Sequence, residues 1–311
     1  MSPAADQPVT PPGDRRCRSS TFVRPARDAA DLLAVALTLA WIGLVLLAAS
    51  VPVPDGGEPA RQLVLGGATW GVLVVLLRRE TPLVRVQTLV VVVLATCVEY
   101  TFSPLLQAYT YRIGTVPLFV PPGHGLVYVA ALTLGRSALV GRWRAPLVTS
   151  TVLAGGAWAV AGLLGLGGRH DVLGAFWFVC LLGFLAWGPN RTLYVGAFVV
   201  VSYLELAGTA LGIWAWAPRD PVLHVIGQGN PPSGAAGGYG WFDLWALLLA
   251  PWLLAGWRSV RRPQDANALS TASCSSPFVA TAPAPNGPSS PSSEVKRPPA
   301  STTTGTSAAM S

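Results

Sequence analysis

The run LVVVVLATCVEYTF, residues 89–102, decides the fold class. It lies in an apolar stretch from 83 to 103, and no charged residue falls between Val86 and Val98. A helix needs about 20 apolar residues to cross a bilayer, and this stretch has that length. Near its end stands one acid, Glu99. A carboxylate inside such a run is costly in hydrocarbon, and acids placed so face a bundle interior or water.

Working outward, seven further runs have comparable length and character, near 30–50, 61–77, 124–141, 146–167, 171–188, 192–214 and 239–257. Across the chain 51% of residues are hydrophobic and only 11% charged. A soluble domain carries about a quarter of its residues as charges, so most of this surface is expected to face lipid. In lipid, backbone groups must be satisfied within a helix or a closed barrel. The runs are too long and too continuously apolar for barrel strands. The expectation is an all-α membrane protein of eight transmembrane helices. The first run reads as a retained helix, because it is longer than a signal-peptide core and lacks a clean A-x-A site.

Residues 1–28 and 263–311 have no apolar period. The second of these is built almost wholly from Ser, Thr, Ala and Pro. Both are expected to be disordered tails, flanking a transmembrane domain at 29–262.

The net charge of +7 is the balance of 21 basic residues against 14 acidic ones. Seventeen fall in the two tails and in alternate loops, and four (Arg61, Arg112, Arg169, Arg219) in the remaining loops. Cytoplasmic loops carry the excess of Lys and Arg, so both termini are expected in the cytoplasm and the protein in the inner membrane. That placing of the charge also argues against nucleic acid as a partner. The cysteines are scattered (Cys17, Cys97, Cys180, Cys274) and form no C-x-x-C pair. Cys97 and Cys180 are expected to be buried and inert.

The segment after Glu99, which ends in GTVPLFVPPGHGLVY at 114–128, has a counterpart after Glu205. Each unit starts with a glutamate near the outer end of a run and has a hydroxyl four residues on, Ser103 or Thr209. Each then has two aromatics two apart: Tyr109 and Tyr111 in the first, Trp214 and Trp216 in the second. A double proline, glycines and a tyrosine (Tyr128 or Tyr239) follow. Four runs separate the units. An even number keeps the orientation, so the pattern reads as a parallel repeat of two four-helix halves, about 29–144 and 145–262. The Pro-Gly segments are expected to be stiff loops folded over the outer mouth of the bundle.

Glu99, Glu205 and Asp243 are the candidate catalytic acids. A protonated carboxylic acid in an apolar pocket can donate a proton. Asp243 is expected at the start of the last helix, where it would also complement the helix dipole. Tyr109, Tyr111, His124, Trp214, Trp216 and Tyr239 are the candidate substrate-binding residues, with His124 expected to be exposed. His124 and His224 lack metal-ligand spacing, so no metal and no cofactor are expected. No P-loop, G-x-G-x-x-G or G-x-S-x-G is present.

The first unit resembles the integral-membrane carotenoid hydratases and, more loosely, the small-subunit lycopene cyclases. The resemblance lies in Glu99, Y-T-Y at 109–111, V-P-L at 116–118 and GIWAW at 212–216. It implies cofactor-free acid chemistry on a long polyene, in which a carboxylic acid protonates a terminal alkene. The partners would then be membrane lipid and a hydrophobic small molecule. Paired membrane carboxylates and an internal repeat also suit a transporter or flippase component. A non-catalytic membrane assembly protein is the third reading.

Overall fold

The computed structural model describes residues 28–222 and 224–273, with side chains as far as residue 259. The apolar runs form helices, and short polar residues between them start the next one. The Thr81 hydroxyl accepts the Val84 N–H at 3.4 Å ahead of a first-turn proline. Asp171 accepts the Gly174 N–H at 2.9 Å, and Asn190 the Leu193 N–H at 3.2 Å. Side chains of this kind satisfy amide groups that a helix start leaves open.

Eight helices of 16 residues or more result among the described residues. They are α1 (Asp28–Ser50), α2 (Glu58–Arg78), α3 (Pro82–Tyr100), α4 (Val120–Arg136), α6 (Arg144–Leu163), α7 (Val172–Trp187), α8 (Arg191–Ala210) and α9 (Ala235–Ser273). Between α4 and α6 lies a five-residue helix, α5 (Ala138–Arg142). Among the described residues, five helical segments are long and apolar enough to cross a membrane: Asp28–Ser50, Glu58–Arg78, Pro82–Leu105, Arg144–Leu163 and Arg191–Ala210. They are compatible with a multi-pass membrane protein. Large apolar side chains on their outer faces stand exposed, among them Leu37, Leu44, Leu63, Val64 and Leu153.

The centre is a pair of helices, α4 and α8, which pack against each other. Their backbones approach closely: a Cβ on Gly196 would collide with the Ala131 carbonyl. Small residues that let backbones meet are the usual basis of helix packing in membranes. Around the pair, α1, α2 and α3 contact α4, while α1, α6 and α7 contact α8.

Several expectations change. The chain is not purely helical: β1 (Tyr109–Tyr111) and β2 (Trp214–Trp216) form an antiparallel ribbon. The Pro121-Pro122 segment is not a loop but the first turn of α4, where proline costs no hydrogen bond. The fourth run does not continue to 141, because Ser137 is extended (φ −64, ψ 150) and separates α4 from α5. Cys97 is exposed rather than buried, and Cys180 is intermediate. Cys17 and Cys274 lie outside the described residues. So do the expected tails, except that α9 carries helix past 263 to Ser273. The chain divides into two units, 1–262 and 263–311.

Candidate functional site

The site grows from the way two helices end. After α3 the chain makes one π-helical turn, Thr101–Leu105, holding Pro104. It then reverses at Gln107, whose φ is 58, and enters β1. After α8 it reverses at Gly212, with φ 65, and enters β2. The two strands pair in register, Tyr109 with Trp216, Thr110 with Ala215 and Tyr111 with Trp214. Strand side chains alternate between faces, so all four aromatics share one face. Thr110 and Ala215 take the exposed one.

That face looks back at the glutamates. The Tyr109 and Tyr111 hydroxyls donate to Glu99 Oε2 at 2.9 and 2.7 Å. The Trp214 and Trp216 indole N–H groups donate to Glu205 Oε2, both at 3.1 Å. The rings also contact each other across the ribbon: Tyr109 and Trp216 are 4.6 Å apart between centroids, Tyr111 and Trp214 6.1 Å. Glu99 and Glu205 are 6% and 3% exposed. Both phenols of the ribbon are pushed up from their ordinary value, first by burial and then by the Glu99 carboxylate beside them. They therefore stay protonated and remain donors.

His124 is a correction. It lies in the first turn of α4 and is 6% exposed, not at the surface. Its Nε2 meets Glu99 Oε1 at 2.9 Å, so Glu99 is engaged at both oxygens. The other ring nitrogen, Nδ1, is buried with no partner. A carboxylate on one imidazole nitrogen sets the tautomer and leaves the other for chemistry. Tyr239 of α9 stacks on His124 with centroids 5.4 Å apart.

Asp243 is a second correction. α9 begins at Ala235, two turns earlier than the placement at a helix start requires, and Asp243 is 5% exposed inside the bundle. It does not line the Glu99–Glu205 cavity. His224 sits in the exposed loop before α9, with φ 57. No group of three or more metal-ligating side chains occurs among the described residues.

Glu99, Glu205, His124, Tyr109, Tyr111, Trp214, Trp216 and Tyr239 all line one cavity of about 440 Å³. The remaining wall is largely apolar, with Trp41, Leu46, Phe119, Trp177 and Leu204. Phe102 and Val222 bring exposed apolar surface to its lining. A volume of this order is that of a small-molecule pocket, and apolar walls with a few convergent polar groups are its usual lining.

Sequence reading missed two supporting residues. Asp171, the cap of α7, also accepts the N–H groups of Gly229 at 2.8 Å and Ser233 at 2.6 Å, and so pins the loop that leads into α9. Gln228, wholly buried on that loop, lines the cavity with both side-chain polar atoms unpartnered. An acid at a helix start was a legible signal for the first. Nothing in the sequence distinguishes the second.

Comparison with known protein families, with curated proteins and with solved structures finds no match to this chain.

Proposed function

We propose that this is an eight-span inner-membrane protein with both termini in the cytoplasm, which carries out acid–base chemistry on an isoprenoid or similar lipid. One observation carries the reading: two buried glutamates, each held by a pair of aromatic donors from one ribbon, share an apolar cavity. A carboxylic acid there transfers its proton to a terminal alkene carbon, forming a C–H bond and a tertiary cation. Water adds its oxygen to the cation, and its surplus proton passes to the Glu99–His124 couple. The apolar wall suits a polyene, and the exposed lining residues suit entry from lipid. Resemblance to carotenoid hydratases around Glu99 and Trp214–Trp216 agrees with this chemistry.

A parallel duplication underlies the site in this reading. Both halves use the same device of helix, reversal and aromatic strand. Both also anchor the loop before their last helix to a polar side chain: Gln62 of α2 accepts the Leu118 N–H at 3.1 Å, as Asp171 does for Gly229.

The test is direct. Purified protein in lipid vesicles is incubated with an acyclic polyene hydrocarbon, and the products are read by chromatography and mass. Hydrated or cyclised product, lost in both Glu99→Gln and Glu205→Gln, is the expected result. Retained turnover in either variant would remove that glutamate from the chemistry. The orientation is tested separately: a reporter active only outside the cytoplasm should be active after Gly114 or Gly229 and silent after Arg142.

A transporter is the second reading, favoured by buried polar groups deeper in the bundle than the cavity. It predicts substrate movement between leaflets without chemical change, which the same vesicles would show.

A further inference from the structure

Below the cavity stands a polar cluster with no part in it. Asp243 of α9, Tyr128 of α4 and Tyr194 of α8 are 5%, 1% and 0% exposed. Asp243 Oδ2 and both phenol oxygens are buried without any hydrogen-bond partner. They lie on neighbouring helices: the backbones of α4 and α8 meet at Ala131 and Gly196, and α9 meets α4 where Tyr239 stacks on His124. Polar groups on neighbouring helices that do not bond directly are commonly bridged by water. A buried polar group without a partner is costly, so three together in a bundle core call for an occupant.

The place of the cluster adds direction. Tyr128 is one turn beyond His124 on α4, and Asp243 one turn beyond Tyr239 on α9. Residues four apart lie on one helix face, and His124 stacks on Tyr239. The cluster is therefore the next rung of the same pair of helices. Tyr194 stands in the first turn of α8, at the bundle end where Arg136 holds Glu80 and donates to Thr133 Oγ1 at 3.2 Å. The charged and titratable groups around Asp243 are thus Tyr128 and Tyr194, with Glu80 and its partner Arg136 at the far end. An isolated buried carboxylate neutralises rather than remain charged.

We propose that Asp243, Tyr128 and Tyr194 enclose one or two waters and form a buried proton-binding site, reached from the Tyr194 end and placed to exchange protons with the His124–Tyr239 level above. Its use rests on the acid–base reading of the glutamates, but its existence does not. Each transfer is an exchange: the carboxyl O–H of Asp243 breaks as a water O–H forms, and a proton arriving through the Tyr194 side restores it.

Infrared difference spectra of the full chain in phosphatidylcholine bilayers test this without any activity assay. Wild type minus Asp243→Asn should show a carboxylic acid C=O band at neutral pH that shifts in D2O. Tyr128→Phe and Tyr194→Phe should move the band without removing it, and Tyr194→Phe should slow its exchange at least tenfold. No acid band, a band that D2O leaves unchanged, or unaltered exchange in Tyr194→Phe would overturn the proposal. Loss of the band on adding sodium would show a cation site instead and also overturn it. If the glutamate chemistry fails, the Asp243 band is unaffected, so the two ideas fail separately.

Discussion

The Glu99 and Glu205 halves of the site solve one problem with different side chains. In each, a glutamate ending a helix is gripped by two aromatics spaced two apart on a strand. In the first half the donors are phenol O–H groups, joined by His124 from α4. In the second they are two indole N–H groups on a single oxygen. An ionised carboxylate accepts at both oxygens, and Glu99 has donors at both. The difference teaches that one geometry can hold two buried acids with unlike sets of hydrogen-bond donors. Glu99 with His124 has the make-up of a base, and Glu205 has the simpler surroundings of an acid.

The largest expected effect follows from that division. Both Glu→Gln changes should lower turnover of a polyene by at least about 100-fold, the scale of general acid–base catalysis. His124 should separate them: His124→Gln should lower turnover although both glutamates remain, because Glu99 alone has an imidazole partner. Unchanged turnover in His124→Gln would break the comparison, because the imidazole would then set Glu99 apart from Glu205 in nothing that matters to the chemistry.

Next in size is a packing effect confined to the second half. A Cβ on Gly208 would collide with the Trp214 indole. Gly208→Val should destabilise the protein by roughly 1–3 kcal/mol, the cost of overpacking. Phe102 holds the matching place in the first half, three residues after the glutamate, and is exposed. Phe102→Val should be nearly neutral in a thermal unfolding scan. Equal losses would mean that the halves are packed alike.

The smallest effect is alkaline. Tyr109 and Tyr111 are held protonated above the ordinary phenol range by burial and by Glu99. Below the unfolded value near 10, both states are protonated and the full stability is present. As pH rises beyond it, the unfolded chain ionises first and stability falls. Tyr111→Phe should flatten this fall. An ultraviolet titration in which these phenols ionise near the ordinary phenol value of about 10 would contradict the buried ribbon.

Much of this was legible before any coordinates. The helices fall on the apolar runs because a run of about 20 apolar residues has few other ways to satisfy its backbone. Glu99, Glu205 and the Tyr and Trp pairs were also legible, since acids and paired aromatics are rare in such a chain and their matched spacing stands out. His124 was misplaced because prolines and glycines read as loop, whereas proline is also a favoured residue in a first helical turn. Asp243 was misplaced for the same reason: the glycine-rich start of α9 is helix.

The sequence by itself determined the helices, their order and the residues that bear polar hydrogens, because these follow from local hydropathy and spacing. Only the tertiary structure decided that Y-T-Y and W-A-W pair as strands, more than 100 residues apart in the chain. Three-residue strands have no period to read, and their pairing exists only because α3 and α8 end side by side at one end of the bundle. The same packing turned both aromatic pairs toward buried acids, rather than toward the bilayer interface where such residues are otherwise common.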